Sequence, residues 1–287
     1  MQTSVGSKLG SVIAHRQVAG TTATVGLHRQ QRQVIMQFSR IVLAVCAALF
    51  TQTASAQERA LKIGTEGAYP PFNSVNSEGT LIGLDIDIGN EICSRLEAKC
   101  EWIAADFVGL IPGLQNGLYD MVIASHSITP ERTAVVDMVR YYSSDATMIF
   151  AKDKLRDDVS PAGMAGAAIG VQSGTTHAAV LDAQYGEATI RNYPTQVEAY
   201  ADLASGRIDA VMGDKMALYD YVQTEDGKAC CLLSEQAIKD PVLGDGIGII
   251  LVKNSPLRTE VEAALTAIRD DATYDMLTKV YFPFPIW

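Results

Sequence analysis

Aspartate and glutamate are missing from the first 56 residues of this 287-residue chain; all 33 acids fall in residues 57–287. The leading stretch holds five bases, Lys8, Arg16, Arg29, Arg32 and Arg40. That leaves 18 of the 23 Lys and Arg for the acidic part, a formal charge of −15. An excess of this size argues against nucleic acid and against an anionic membrane surface as partners, and is compatible with a small cationic ligand. Long apolar runs are missing as well. Ile41 to Phe50 (IVLAVCAALF) falls far short of the roughly 20 residues that a membrane span needs. Cysteines at metal-binding spacing are also absent. Without CxxC or Cys/His spacing a structural zinc site is not expected, and neither is any other metal or cofactor.

What the leader does contain is a short basic stretch, Met36-Gln-Phe-Ser-Arg40, then the apolar run, then Ala54-Ser55-Ala56. This order reads as a secretory signal peptide over residues 36–56, cut between Ala56 and Gln57. Residues 1–35 do not fit such a signal. They are expected to be an upstream extension, non-native or disordered, with the true start at Met36. An exported chain meets an oxidising compartment. Cys93 and Cys100 bracket a short amphipathic segment, and a disulfide closing that loop would contribute roughly 2–3 kcal/mol in the chain-entropy model; two buried free thiols are the alternative. Cys230 and Cys231 are adjacent. Disulfides between neighbours are strained and uncommon, so two free thiols in a strand are expected there.

Residues 57–287 are long enough for two modest lobes or one large domain. Short apolar runs (LKIGT, CEWIAA, YDMVIAS, TMIFAKD, AAIGVQ, IDAVMGD, GIGIILVK) read as strands. They alternate with helical patterns such as DIDIGNEICSRLEA (85–98) and TQVEAYADLASG (195–206). That alternation predicts α/β architecture with mostly parallel sheets. One internal similarity stands out. Leu114-x-x-Gly117-x-Tyr119-Asp120-x-Val122 matches Leu203-x-x-Gly206-x-Ile208-Asp209-x-Val211, each position displaced by 89 residues. Helix–Gly–strand units resemble one another in any α/β protein. The alternative is two similar lobes, each presenting an equivalent strand end, where ligands bind in such sheets. The same displacement sets Ser125 against Asp214.

The stretch SHSITPER (125–132) is a helix start with an odd charge. Thr129 suits the N-cap, Pro130 the first helical position and Glu131 the positive end of the dipole, but Arg132 opposes it. A guanidinium there makes sense as a planar fork for a carboxylate. A second polar turn, Gly174-Thr175-Thr176-His177, follows the AAIGVQ strand. Thr175 or Thr176 can cap the helix that leaves it, and its first-turn N–H groups can meet the same anion. Asp214 can accept from an ammonium, with Ser125 and Ser127 as further polar partners. Together these groups suit a zwitterion. Glu66 can meet a distal positive charge, and Tyr69 and Phe107 can flank the ligand's side chain.

IGTEGAYPPF, GLDIDIGNEICSRLEAKC, FVGLIPGL, YDMVIASHSITPER, GVQSGTTHA, GRIDAVMGD and TYDMLTKVYF resemble the periplasmic amino-acid-binding proteins of ABC importers, especially those for histidine and for lysine/arginine/ornithine. The resemblance covers most of 61–282. It implies a type II periplasmic-binding fold: two α/β lobes, each a mostly parallel sheet flanked by helices, joined by two hinge crossings. The lobes are expected at 57–144 plus 248–287 and at 145–247, with crossings near 142–147 and 244–249. By position, Arg132 with the backbone of Ser127 and Thr176 would hold the α-carboxylate. Asp214 and Ser125, helped by the backbone of Ala124, would hold the α-ammonium. Glu66 would meet a cationic side chain between Tyr69 and Phe107, and Cys93 would pair with Cys100. Ala124, His126, Gln172, His177 and the extra methylene of Glu66 depart from the pattern, and 135–144 is one residue shorter than in the histidine-binding relatives. Gln172 and His177 are expected beside the ligand. The function implied is capture of a basic amino acid, or an opine-like derivative, by a periplasmic monomer that docks transiently on a membrane permease complex. The competing expectations are an exported cyclohexadienyl dehydratase-like enzyme, with Glu66 or His177 as proton donor, and a binding partner of a separate membrane sensor.

Overall fold

The seven short apolar runs fold as strands and the two named helical stretches form helices. The structure, a computed structural model, describes residues 59–287; the predicted signal peptide and upstream extension lie outside the described residues. Strand β1 (Arg59–Thr65) is followed by β2 (Ala68–Tyr69), β3 (Asn73–Val75) and β4 (Leu81–Ile82), which pair antiparallel as a small separate sheet. Then come α1 (Leu84–Arg95), β5 (Ala98–Ala104), α2 (Phe107–Gln115), β6 (Met121–Ser127), α3 (Pro130–Val135) and β7 (Val136–Tyr142). The chain crosses at 143–145 into β8 (Ala146–Ala151), β9 (Ala168–Gln172), α4 (Thr176–Gln184), β10 (Thr189–Tyr193), α5 (Gln196–Ala204), β11 (Ala210–Asp214), α6 (Lys215–Tyr221), α7 (Glu225–Cys230) and β12 (Cys231–Leu233). It recrosses at 244–246 into β13 (Ile247–Val252), α8 (Leu257–Asp270) and α9 (Thr273–Lys279).

The two large sheets are built alike. One has the order β5-β1-β6-β13-β7 and the other β10-β9-β11-β8-β12. In each, four strands run one way. The fifth, β13 or β8, runs antiparallel to both neighbours. That strand is the one that has just arrived from the other sheet, so the crossings themselves create the exception. Central strands β6 and β11 are buried along their whole length, which is why both read as unbroken apolar runs. Helix α8 buries Leu257, Val261, Ala264, Leu265 and Ile268, one stripe at helical spacing, against the core around Ile63, Ile92, Met121 and Ile249. A second core, around Met148, Ile169, Val171 and Met212, lies under the other sheet.

The 89-residue similarity is structural. Helices α2 and α5 are equivalent to the residue, as are the starts of β6 and β11. Gly117 and Gly206 both take left-handed φ, 75° and 70°, where a Cβ would be strained. Asp120 and Asp209 make the same pair of bonds. Each backbone N–H donates to a neighbouring strand's carbonyl, at Lys62 and Ala168, and each Oδ2 accepts the N–H of that same residue at 2.8 Å. The repeat therefore marks equivalent turns at equivalent places in the two sheets.

Cys93 and Cys100 form a disulfide, with Cα atoms 5.8 Å apart, that ties α1 to β5. Cys230 and Cys231 are also joined, which corrects the expectation of two free thiols. That expectation assumed both residues lay in one strand, where neighbouring side chains point to opposite faces. Instead Cys230 ends α7 and Cys231 opens β12. The chain turns between them and lets both sulfurs meet.

Candidate ligand-binding site

A cavity lies between the two sheets at the carboxyl ends of β6, β9 and β11. All eleven residues singled out in the sequence line it: Glu66, Tyr69, Phe107, Ala124, Ser125, Ser127, Arg132, Gln172, Thr176, His177 and Asp214. Thr175, read in the sequence only as a candidate helix cap, and Gln196, which escaped the sequence reading, line it too. Gln196, the first residue of α5, lies 89 residues after Phe107, the first of α2. Extending the repeat by one helix would have found it. Among the described residues no three His, Cys, Asp or Glu are grouped to hold a metal ion.

Four contacts bridge the cleft. The Tyr69 hydroxyl donates to Asp214 Oδ2 at 2.8 Å, and Gln172 Nε2 donates to Glu66 Oε1 at 2.5 Å. The Ser127 and Thr176 hydroxyls meet at 3.1 Å, and Arg132 Nη2 donates to the Gly174 carbonyl at 3.3 Å. The lobes are therefore closed over the cavity. Thr129 caps α3, accepting from the N–H of Arg132 at 3.2 Å. Arg132 Nη1 donates to the Ser127 carbonyl at 2.9 Å. Two donors thus fix the guanidinium, and the rest of its five remain for an anion. Thr175 is the cap of α4, accepting from Ala178 N–H at 3.1 Å; this decides between the two threonines and leaves Thr176 as the first helical residue.

Burial sets the electrostatics. It pushes the Glu66 carboxyl up to about 7, against the opposing bond from Gln172. It pulls Arg132 below its usual value and raises the Tyr69 hydroxyl well above its own, with Asp214 adding to the rise. His177 has its Nε2 3.7 Å from Asp214 Oδ1. Desolvation nonetheless outweighs that carboxylate and lowers the imidazole, so His177 is neutral at pH 7. His126 gains a reason. Its ring stacks on Phe107, centroids 4.1 Å apart and 13° from parallel, while the Arg132 guanidinium carbon lies 6.0 Å from the centroid of that ring. His126 backs the aromatic wall. Desolvation keeps it neutral, with its pKa well below the usual range, and its buried Nδ1 has no partner.

Two α/β lobes of common topology, closed on a polar cavity at their strand ends, define a two-lobed binding protein. Residues 61–284 match the family of bacterial extracellular solute-binding proteins, family 3, and the chain belongs to that family. It is 34% identical over 247 residues to the ABC transporter arginine-binding protein 1 of Escherichia coli, covering 85% of this chain and 99% of that one. It is 33% identical over 261 residues to the lysine/arginine/ornithine-binding periplasmic protein of the same organism, covering 88% and 99%. Among solved structures it is similar to a Salmonella typhimurium periplasmic binding protein of high arginine specificity, with TM-score 0.72 and 28% identity over 78% of this chain and 99% of that one. It is also similar to a Silicibacter pomeroyi His/Glu/Gln/Arg/opine-family binding protein in complex with lysine, with TM-score 0.69 and 30% identity over 79% and 99%. A third neighbour, an ancestral amino-acid-binding protein described as a precursor of cyclohexadienyl dehydratase, has TM-score 0.71 and 28% identity over 78% and 95%.

Proposed function

We propose that this protein is a periplasmic receptor that captures a basic amino acid between its lobes and presents the closed form to the permease of an ABC importer. The observation that carries it is a cavity with three separate charge sites: the Arg132 fork, the Asp214–Ser125 corner, and the Glu66 carboxyl alongside Tyr69 and Phe107. Arg132, with the N–H groups of Ser127 and Thr176, takes the α-carboxylate. Asp214, the Ser125 hydroxyl and the Ala124 carbonyl take the α-ammonium. Glu66, with Gln172 beside it, takes the side-chain cation. A ligand that touches both lobes favours closure because it binds the closed state more tightly than the open one. The hinges are the crossings at 143–145 and 244–246, and the lobes move about them as rigid units. The relatives' names, arginine-binding and lysine/arginine/ornithine-binding, support the ligand class. The periplasmic location named for the lysine/arginine/ornithine-binding relative supports export, for which the signal peptide cut at Ala56/Gln57 is the proposed route.

One observation favours a second reading. A carboxyl titrating at about 7 is a competent general acid, as a dehydratase on this fold would need. Against it, Gln172 already occupies a Glu66 oxygen. A thermal-shift screen of residues 57–287 against the common amino acids, opines and prephenate separates the readings. Stabilisation by arginine, lysine, ornithine or histidine is expected. Stabilisation by neutral or acidic amino acids alone would refute the role of Glu66, and turnover of prephenate would make the protein an enzyme.

A further inference from the structure

Behind the cavity, in the first lobe, lies a buried carboxylate with no cation beside it. Asp85 sits in the first turn of α1 and is fully buried. Its Oδ1 accepts from the Tyr141 hydroxyl at 2.6 Å; its Oδ2 accepts from Asn73 Nδ2 at 2.8 Å and from Ser125 Oγ at 3.1 Å. The Tyr141 oxygen in turn accepts the backbone N–H of Ser125 at 3.2 Å. Asn73 cannot be turned round, because its Oδ1 accepts the Gly67 N–H at 2.8 Å. A buried carboxylate without a counter-ion is costly. Three donors and the positive end of α1 offset that cost. Ser125, the residue these groups surround, is one of only four non-glycine positive-φ residues among those described, at φ 54°, a conformation that a side chain other than Gly, Asn or Asp rarely takes.

We infer that Asp85 is a positioning residue for ammonium recognition: it claims the single hydroxyl proton of Ser125 and so turns that side chain into a pure acceptor facing the ligand. The donor count requires it. An ionised carboxylate only accepts, so Ser125 must donate to it, and a hydroxyl has one proton. Its lone pairs are what remains for the cavity. Burial pushes Asp85 up to about 6, which leaves it ionised at neutral pH. Tyr69 is treated the same way from the other lobe: Asp214 Oδ2 takes its one hydroxyl proton, which leaves the Tyr69 oxygen as an acceptor. The Ser125 and Tyr69 side of the corner then offers acceptors alone. It suits the three N–H donors of a primary ammonium and disfavours a carboxylate or carbonyl oxygen, which would find no donor. The ligand's orientation follows: an amino acid cannot bind reversed, with its carboxylate in the Ser125–Asp214 corner.

The inference rests on the reading of this cavity as an amino-acid site and deepens it. The test is a double-mutant cycle read by calorimetric titration with arginine, using Asp85→Asn, Ser125→Ala and the pair. Asparagine keeps the shape but places an amide where an acceptor stood. Expected are a loss of tenfold or more for Asp85→Asn alone and a loss of less than threefold for the same change made in Ser125→Ala, with thermal unfolding recorded for each variant. Equal fold losses in both backgrounds would overturn the inference, as would no loss in either. Should Asp85→Asn fail to fold, Tyr141→Phe takes its place in the cycle with the same two outcomes. Should the unchanged protein bind no basic amino acid, the proposed ligand class fails by itself, and the cycle is run with whichever amino acid does bind, because every one carries the α-ammonium.

Discussion

Arg132 commits part of its guanidinium to the Ser127 and Gly174 carbonyls, and those bonds fix the orientation of what remains. A side chain held this way cannot be replaced by one that only supplies charge. Arg132→Ala is expected to weaken every α-amino acid by about 100-fold or more, since it leaves a buried carboxylate unpaired. Glu66→Gln is expected to weaken only cationic ligands, by roughly 10- to 100-fold, the worth of a charge-assisted bond, with neutral ligands changed by less than about threefold. Isothermal titration of both variants checks the division, and equal losses would undo it. At this scale the sequence named residues that line the cavity but not the groups that support them. Arg132 betrayed itself by opposing its own helix dipole. Asp85, in DIDIG, looked like one more acid in a first helical turn, because its partners Asn73, Ser125 and Tyr141 meet only in the folded lobe. His126 was unreadable for the same reason: its role is a ring face of Phe107, 19 residues away in the chain.

Among the elements, the repeated helix–Gly–Asp–strand unit has the sharpest consequence. Asp120 and Asp209 close equivalent turns by accepting equivalent backbone N–H groups. Replacing either by alanine should cost about 1 kcal/mol or somewhat more, as for a lost hydrogen bond to a charged group, with closely similar values in the two lobes by urea denaturation. A large asymmetry would mean that the likeness is one of pattern only. The Cys93–Cys100 disulfide closes a short loop between α1 and β5, and replacing both cysteines by alanine should cost about 2–3 kcal/mol. Long strands and helices were legible because their apolar periodicity is continuous, as in β6 and α1. Strands β2, β3 and β4 were not, because two or three residues carry no period. Strand β7 was not legible as a strand, since its apolar side chains are interrupted by Asp137 and Arg140. The Cys230–Cys231 pair was misjudged because the junction of α7 with β12 falls between them, and a boundary of that kind leaves no mark in the sequence pattern.

For the whole molecule, closure and charge are coupled through Glu66. In the closed form burial raises this carboxyl to about 7; opening removes Gln172 and the second lobe, returning it towards the ordinary value near 4.3. Closing without a ligand therefore takes up a proton. The penalty on ligand-free closure, roughly 3–4 kcal/mol from the shift, is present in full above pH 7, fades as pH falls and is gone near pH 4. Small-angle scattering of the ligand-free protein is expected to show a more compact average at pH 5 than at pH 8, and Glu66→Gln to be compact at both; no pH dependence in the unchanged protein would contradict this. A cationic ligand removes the penalty at neutral pH, so the group that discourages ligand-free closure also selects the ligand. The central claim is that selection, and arginine against citrulline tests it most directly, because the two differ in side-chain charge with little change in shape. Calorimetric titration at pH 7.5 should show arginine bound at least about tenfold more tightly than citrulline, with the gap largely lost in Glu66→Gln; citrulline binding as tightly as arginine would contradict the account.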